Sequence, residues 1–176
     1  MKIRELEREE ISEVWSIDRA EVVERAYYRE GDQLVLKPAY FDIQGWPPGE
    51  PEHYGPILLD CFERGGTFYG AFDGERLIGA TVLESRFIGR EKDQLQVKFL
   101  HVSRRYRQAG LGRTLFERVV VRARELGARR LYVSSTPSEN TVRFYLRLGF
   151  RVTDDVDADL FDLEPEDIHL EFDIPG

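Results

Sequence analysis

The chain has 176 residues, enough for one domain with a real core, and its 41% hydrophobic and 33% charged content with negative mean hydropathy describes a globular protein. No apolar run approaches membrane-span length, so no membrane partner is expected. A formal net charge of −8 and a basic stretch without interleaved aromatics argue against nucleic acid, while the lone Cys61 excludes an internal disulfide and any Cys-rich zinc site.

No metal is expected. Met1-Lys2-Ile3-Arg4-Glu5 lacks an apolar signal region, and the cytoplasm is the expected compartment. The charge is unevenly spread. From Lys98 to Arg130 nearly all charges are basic, with Glu117 and Glu125 as exceptions, whereas from Thr153 onward there is no Lys or Arg. Two solvated faces account for this, as does a basic mouth for a phosphate-bearing ligand beside acidic surroundings for a cationic amine.

Lys2 to Leu6 reads as a short strand. Ile11, Val14, Trp15, Val22 and Val23 recur at helical spacing, which predicts one helix from Glu9 to about Ala26. Tyr27 to Pro56 has no regular period beyond a small strand at Leu34-Val35-Leu36, and its Gly45 to Pro51 cluster reads as a turn. Pro56 to Arg64 reads as a helix ended by Gly65-Gly66. Thr67 to Phe72 is a strand, Asp73-Gly74 a hairpin turn, and Glu75 to about Phe87 the returning strand. A turn over Ile88 to Asp93 leads into an apolar-rich strand, Leu95 to Val102.

Leu111, Leu115, Val119, Ala123 and Leu126 then form one stripe of an amphipathic helix, stopped by Gly127. Arg130 to Ser134 makes a further strand. Thr136-Pro137-Ser138-Glu139 reads as an N-cap at Thr136 with Pro at the first helical position, and the helix runs to Leu148 with Gly149 as its C-cap. Phe150 to Val152 and Ile168 to Asp173 are the last strands, joined by an acidic connection. The order predicts an α/β fold, a single domain over residues 1–176 with a mixed, mostly antiparallel sheet of about seven strands flanked by about four helices.

The strand Leu95 to Val102, the loop Arg107-Gln108-Ala109-Gly110-Leu111-Gly112 and the helix after it have the layout of a phosphate-binding element. Two glycines let the backbone approach a ligand, and the first helical turn offers unpaired N–H groups at the positive end of the dipole. A Walker A loop would need Gly-Lys-Ser/Thr, but Gly112 is followed by Arg113 and Thr114. A dinucleotide fingerprint would need a third glycine where Leu115 stands. What remains, Arg-x-x-Gly-x-Gly after Leu100-His101-Val102, resembles the coenzyme A pyrophosphate loop of the GNAT superfamily of N-acetyltransferases. The segment Asn140 to Phe150, with Phe144-Tyr145 and Leu148-Gly149-Phe150, resembles that family's Asn...Phe-Tyr-x-x-Leu-Gly-Phe pattern, and the element order matches along nearly the whole chain.

The resemblance implies an acetyl-CoA-dependent N-acetyltransferase that transfers an acetyl group directly to the primary amine of a small molecule or peptide. Coenzyme A would lie on the backbone N–H groups of Gln108, Ala109, Gly110, Leu111, Gly112 and Arg113. Arg107 would shape the loop, and Gln108 and Arg113 side chains would reach phosphate. The backbone of Leu100 and Val102 would pair with the pantetheine amides, Val102 N–H would face the thioester oxyanion, and Asn140 would touch the cofactor. Tyr145 is the candidate general acid for the departing thiolate.

For the base, Glu84 ranks first and His101 second, His101 also fitting as a packed core histidine. Asp93 and Glu91 sit in a turn. The acceptor pocket is expected from residues 27–56, with Tyr27, Tyr28, Tyr40, Trp46 and Tyr54 as walls and Asp42 or Glu50 attracting a cation. A homodimer is compatible with this reading. The competing expectations are a catalytically idle acyl-CoA-binding or sensory module and, less well matched, a nucleotide-binding protein.

Overall fold

A computed structural model describes residues 1–176. Strands β1 (Lys2–Glu5), β2 (Glu21–Glu30), β3 (Gln33–Ile43), β4 (Thr67–Asp73), β5 (Arg76–Leu83), β6 (Gln94–Val102), β7 (Arg130–Ser135), β8 (Arg151–Val152) and β9 (Ile168–Asp173) join helices α1 (Glu50–Glu63), α2 (Leu111–Glu125), α3 (Glu139–Leu148) and α4 (Ala158–Leu163). Seven strands form one mixed sheet in the order β1-β4-β5-β6-β7-β9-β8, and β2 and β3 form a separate hairpin. The α/β expectation of a seven-stranded sheet with four α-helices holds. No helix is long and apolar enough to cross a membrane.

The chain divides into two compact units whose segments alternate along it. The first comprises Met1–Glu21, Ile43–Ser85 and Val97–Arg122, and the second comprises Val22–Asp42, Arg86–Gln96 and Ala123–Gly176.

In the first unit β1, β4, β5 and β6 pair antiparallel. One face of these strands buries Phe68, Phe72, Val82 and Phe99 against Ile11, Val14 and Ile17 of the N-terminal segment and Leu58 and Cys61 of α1. The other face packs Ala71, Ile78, Leu100 and Val102 against Leu111 and Leu115 of α2. Alternation along β6 therefore sends Phe99 and His101 to one side and Leu100 and Val102 to the other. Gly79 of β5 lets α2 come close: a Cβ there would sit 3.3 Å from Leu115 Cδ1 and 3.5 Å from Leu111 Cδ2.

In the second unit β7 runs parallel to the start of β6, pairing Gln94 with Arg130 through Gln96 with Tyr132, and β9 lies antiparallel between β7 and β8. Helix α3 ends at Gly149, whose φ of 110° is a left-handed cap. As expected, Phe150 returns onto this helix, its N–H bonded to Tyr145 O at 3.1 Å and its ring centroid 5.2 Å from that of Tyr145.

Five expectations about local structure need correction. The helix over Glu9 to Ala26 is instead a 3-10 helix, Arg8–Ser16, followed by β2. Two elements share one apparent period: Ile11 and Val14 are buried by the first, while Val22 and Val23 are β-branched strand residues, one exposed and one buried. Residues 27–56 are not irregular, since β2 and β3 form a hairpin turned at Gly31, where φ is 66°. Helix α1 begins at Glu50, not Pro56, because Pro51 lies in its first turn, where a proline starts a helix rather than breaking one. The cap of α3 is Ser138, not Thr136, and the acidic connection contains α4, whose cap Asp157 accepts a 3.0 Å bond from Leu160 N–H.

Candidate active site

The geometry of the first unit follows from the end of β6. Its pairing with β5 shifts register between Val82 and Leu83, leaving Lys98 as the extra residue of a bulge. Beyond the bulge Val82 faces Phe99 and Ala80 faces His101, and Ser103 N–H bonds Ile78 O at 2.8 Å. In that register the backbone groups of Phe99, His101 and Ser103 point to β5. Those of Leu100 and Val102 point to the other edge, which has no strand partner past Gln96.

That open edge leads into the loop through one side chain. Arg107 donates to three carbonyl oxygens, Val102 O at 2.9 Å, Ala20 O at 3.0 Å and Asp18 O at 2.9 Å. It thus spends its guanidinium on shaping the loop. Of the four backbone groups that Leu100 and Val102 turn outward, the Val102 carbonyl is used in this way. A second staple holds the same place: Asp18 N–H bonds Ser103 Oγ at 2.9 Å, and Arg104 N–H bonds Asp18 O at 2.9 Å.

Past Arg107 the backbone turns through Gln108, a non-glycine at φ 64°, and Gly110 at φ 84°. The N–H groups of Gln108, Ala109 and Gly110 make no hydrogen bond within the chain. Those of Leu111, Gly112 and Arg113 open the first turn of α2, and Gly110 O accepts from both the N–H and the hydroxyl of Thr114, at 3.0 and 3.1 Å. A run of six N–H groups at a helix N-terminus is a cradle for an anion. The Arg113 side chain is exposed and lies 3.3 Å from Glu117.

His101 projects from β6 to the opposite face. Its ring centroid lies 4.6 Å from that of Phe99 and 4.9 Å from that of Trp46. Trp46 meets Trp15 edge-on at 4.9 Å and donates its Nε1–H to Ile17 O at 3.0 Å. Burial, followed by the positive charges of Arg19 and Arg107, lowers the His101 pKa to about 3, so the imidazole is neutral. Of the aromatics expected to wall a pocket, Trp46 and Tyr54 belong to this cluster. Tyr28 and Tyr40 are exposed side chains of the β2–β3 hairpin in the other unit, and Tyr27 OH accepts from Arg143 at 3.2 Å.

Glu84, ranked first as base, has other work. Its carboxylate is buried and bidentate to Arg64, at 2.7 and 3.1 Å, with Ser85 N–H at 2.9 Å and Lys98 Nζ, carried by the bulge, at 3.4 Å. Burial alone would raise its pKa; the Arg64 bonds, the Ser85 N–H and the Lys98 and Arg64 charges outweigh that and hold it at about 2. A carboxylate so engaged ties the end of α1 to the end of β5. Cys61, buried on α1 beside it, has its thiol pushed up to about 12 by burial first and by Glu84 second, which removes it as a nucleophile.

In the second unit Tyr145 is buried on α3 between Phe144 and Phe150, and its hydroxyl makes no hydrogen bond within the chain. Burial raises its pKa, so the phenol stays protonated. Asn140 lies exposed in the first turn of the same helix. No group of His, Cys, Asp or Glu side chains is arranged to hold a metal ion.

Asp18, Arg19 and Ser103 were not singled out from the sequence. The available signal was local: Asp18 Oδ1 accepts from Ala20 N–H at 3.0 Å, an Asx turn that ends the N-terminal helical segment.

Known proteins share this fold. The model of the acetyltransferase (GNAT) family matches residues 3–150. A nourseothricin acetyltransferase structure superposes with a TM-score of 0.71 at 16% identity, covering 99% of this chain and 98% of that one. A Bacillus anthracis protein assigned as a streptothricin acetyltransferase, solved with acetyl coenzyme A, gives 0.68 at 15% identity over 97% and 96%. The PaiA N-acetyltransferase of Thermoplasma acidophilum, solved with coenzyme A, gives 0.64 at 21% identity over 98% of both chains. No curated protein sequence matches the chain.

Proposed function

The chain belongs to the acetyltransferase (GNAT) family, and from that premise we propose that it moves an acetyl group from acetyl-CoA directly to the primary amine of a small molecule or peptide, with residues 1–176 acting as one domain. The observation that carries this reading is the open edge of β6 running into the N–H cradle of residues 108–113. Both parts are backbone, and both suit a long ligand with amides at one end and phosphates at the other. The structural neighbours solved with acetyl coenzyme A or coenzyme A support the choice of donor.

In this mechanism the pyrophosphate rests on the N–H groups from Gln108 to Arg113, with Asn140 as a further cofactor contact. The pantetheine amides pair with Leu100, and the Val102 N–H stabilises the oxyanion as the amine adds to the thioester carbonyl. Arg107 fixes the adjoining Val102–Ser103 peptide by bonding the Val102 carbonyl. Tyr145 supplies the proton to the leaving thiolate, a role favoured by a phenol held neutral and without a partner. The proton released by the amine passes to His101. This choice rests on Glu84 being engaged elsewhere, since both of its oxygens are committed to Arg64.

The test is thiol release from acetyl-CoA with polyamines, aminoglycosides, amino acids and peptides as acceptors. Release that depends on an added amine, with the N-acetylated product seen by mass spectrometry, is expected. Acetyl-CoA binding without release on any amine would identify an idle acyl-CoA-binding module instead.

A further inference from the structure

Arg19 has no part in the mechanism so far, yet its position is closely determined. It lies between the two carbonyls, of Asp18 and Ala20, that Arg107 grips. The residues before it are pinned by the Asp18–Ser103 and Trp46–Ile17 hydrogen bonds. Held at both flanks, its side chain turns to the His101 side of the sheet, where its guanidinium carbon lies 5.0 Å from the centroid of the Trp46 ring.

Arg19 is half-buried and makes no hydrogen bond or ion pair. Burial lowers its pKa, and so does the neighbouring Arg107 charge, while Glu50 and Glu21 act in the other direction from a distance. A half-buried guanidinium with no partner in the chain keeps its five donors available to a ligand. It lies on the face of β6 opposite the body of α2, beside the candidate base.

We propose that Arg19 anchors an anionic group of the acceptor, so that the substrate is an amine that also carries a carboxylate, of which a free amino acid is the simplest example. This rests on the acetyl-transfer reading above and narrows it. The fork of Arg19 matches a carboxylate bidentately, and the indole of Trp46 fixes the plane of the guanidinium. Glu50, close enough to influence Arg19, gives the site the second sign of charge that a zwitterion needs. Occupancy by a carboxylate also cancels one of the two positive charges that depress His101, which makes the imidazole more basic when the acceptor is bound.

The experiment compares matched pairs of acceptors, amino acids against their decarboxylated amines, with phosphoethanolamine as a phosphate-bearing arm. Wild type should acetylate the carboxylated member with at least about tenfold higher kcat/KM, the scale of one charge-assisted bidentate contact. Arg19→Gln should raise KM for that member by about the same factor with little change in kcat, and Arg19→Lys should recover part of it. Binding of acetyl-CoA, measured by calorimetry, should be the same in all three proteins.

Equal kcat/KM across each pair in wild type would overturn the proposal, and so would a preference for phosphoethanolamine. Loss of acetyl-CoA affinity in Arg19→Gln would assign the cation to the donor instead. Binding is also read without turnover, by quenching of the combined fluorescence of Trp46 and its neighbour Trp15. An amino acid that quenches wild type but not Arg19→Gln supports the anchor even if no acetylation is seen, and no quenching by any carboxylate refutes it. The anchor and the acetyl-transfer reading therefore fail separately.

Discussion

The two faces of β6 are made from different parts of the chain. On one, Leu100 and Val102 meet Leu111 and Leu115, so strand, loop and helix lie within about thirty consecutive residues by the ordinary spacing of a strand–loop–helix unit. On the other, Phe99 and His101 meet Trp15, Arg19 and Trp46, drawn from far earlier in the sequence. In the mechanism proposed above, the first face serves the donor through backbone groups, which tolerate side-chain change, and the second serves the acceptor through side chains, which one substitution can retune. A fold divided in this way can keep one cofactor while its acceptor changes. Arg107 joins the two faces, since one guanidinium holds both Val102 and the segment that carries Arg19.

The largest effect expected from a single substitution is on chemistry rather than on binding. Tyr145→Phe should lower kcat by about 100-fold, the lower range for loss of a general acid, with acetyl-CoA affinity within about twofold of wild type. Equal turnover would remove Tyr145 from the mechanism. Next, Arg107→Ala loses three charge-assisted bonds and should affect both faces at once. We expect acetyl-CoA affinity to fall by roughly 30-fold and stability by about 3 kcal/mol, read by calorimetry and denaturant melts, with Arg107→Lys recovering little. A variant that lost only one of the two functions would show that Arg107 does not couple the faces.

Glu84→Gln separates structure from catalysis on the acceptor side. It should destabilise the protein by about 2 kcal/mol, since Arg64 and Lys98 lose a buried partner, while kcat and the pH profile of the folded enzyme stay unchanged. A lost acidic limb in the pH–rate profile would return Glu84 to the role of base. Gly79→Ala is a milder probe of the donor face. Its Cβ would press on Leu115 Cδ1 and the His101 carbonyl oxygen, each 3.3 Å away, by a few tenths of an ångström, and acetyl-CoA affinity should drop about threefold with little change in acceptor KM.

Acid stability gives a further comparison. The His101 pKa is about 3 in the folded protein against 6.5 for a free imidazole, so between those values the unfolded chain binds the extra proton. Stability should therefore fall as pH drops from 6.5 toward about 3. For Glu84, with a folded value of about 2 against 4.5, the same sign applies and stability is lost as pH drops through that lower window. His101→Gln should flatten the upper window alone, seen in denaturant midpoints against pH. An unchanged slope would mean that His101 titrates normally.

The contrast between the faces also explains what could be read from sequence. Short-range patterns identified β4, β5, β6, α2 and α3, and the Arg107–Gly112 loop, because each is closed by neighbours in the chain. The register of Leu100 and Val102 followed from alternation. The β2–β3 hairpin was missed because Val22 and Val23 happen to extend the period of Ile11 and Val14, and only pairing partners distinguish the two. The ion-paired setting of Glu84 was not legible, because Arg64 is 20 residues away and the bulge at Lys98 leaves no mark in the pattern. Arg19 was invisible for the same reason: its setting is made by Trp46, Ser103 and Arg107, which meet only in the fold.

The most direct test of the donor-side assignment is a calorimetric titration of acetyl-CoA into wild type and into Arg107→Ala, each first shown to be folded. Saturable binding to wild type, weakened in the variant and absent when ATP replaces acetyl-CoA, is the predicted result. Tight ATP binding with none for acetyl-CoA, or equal acetyl-CoA affinity in the two proteins, would contradict it.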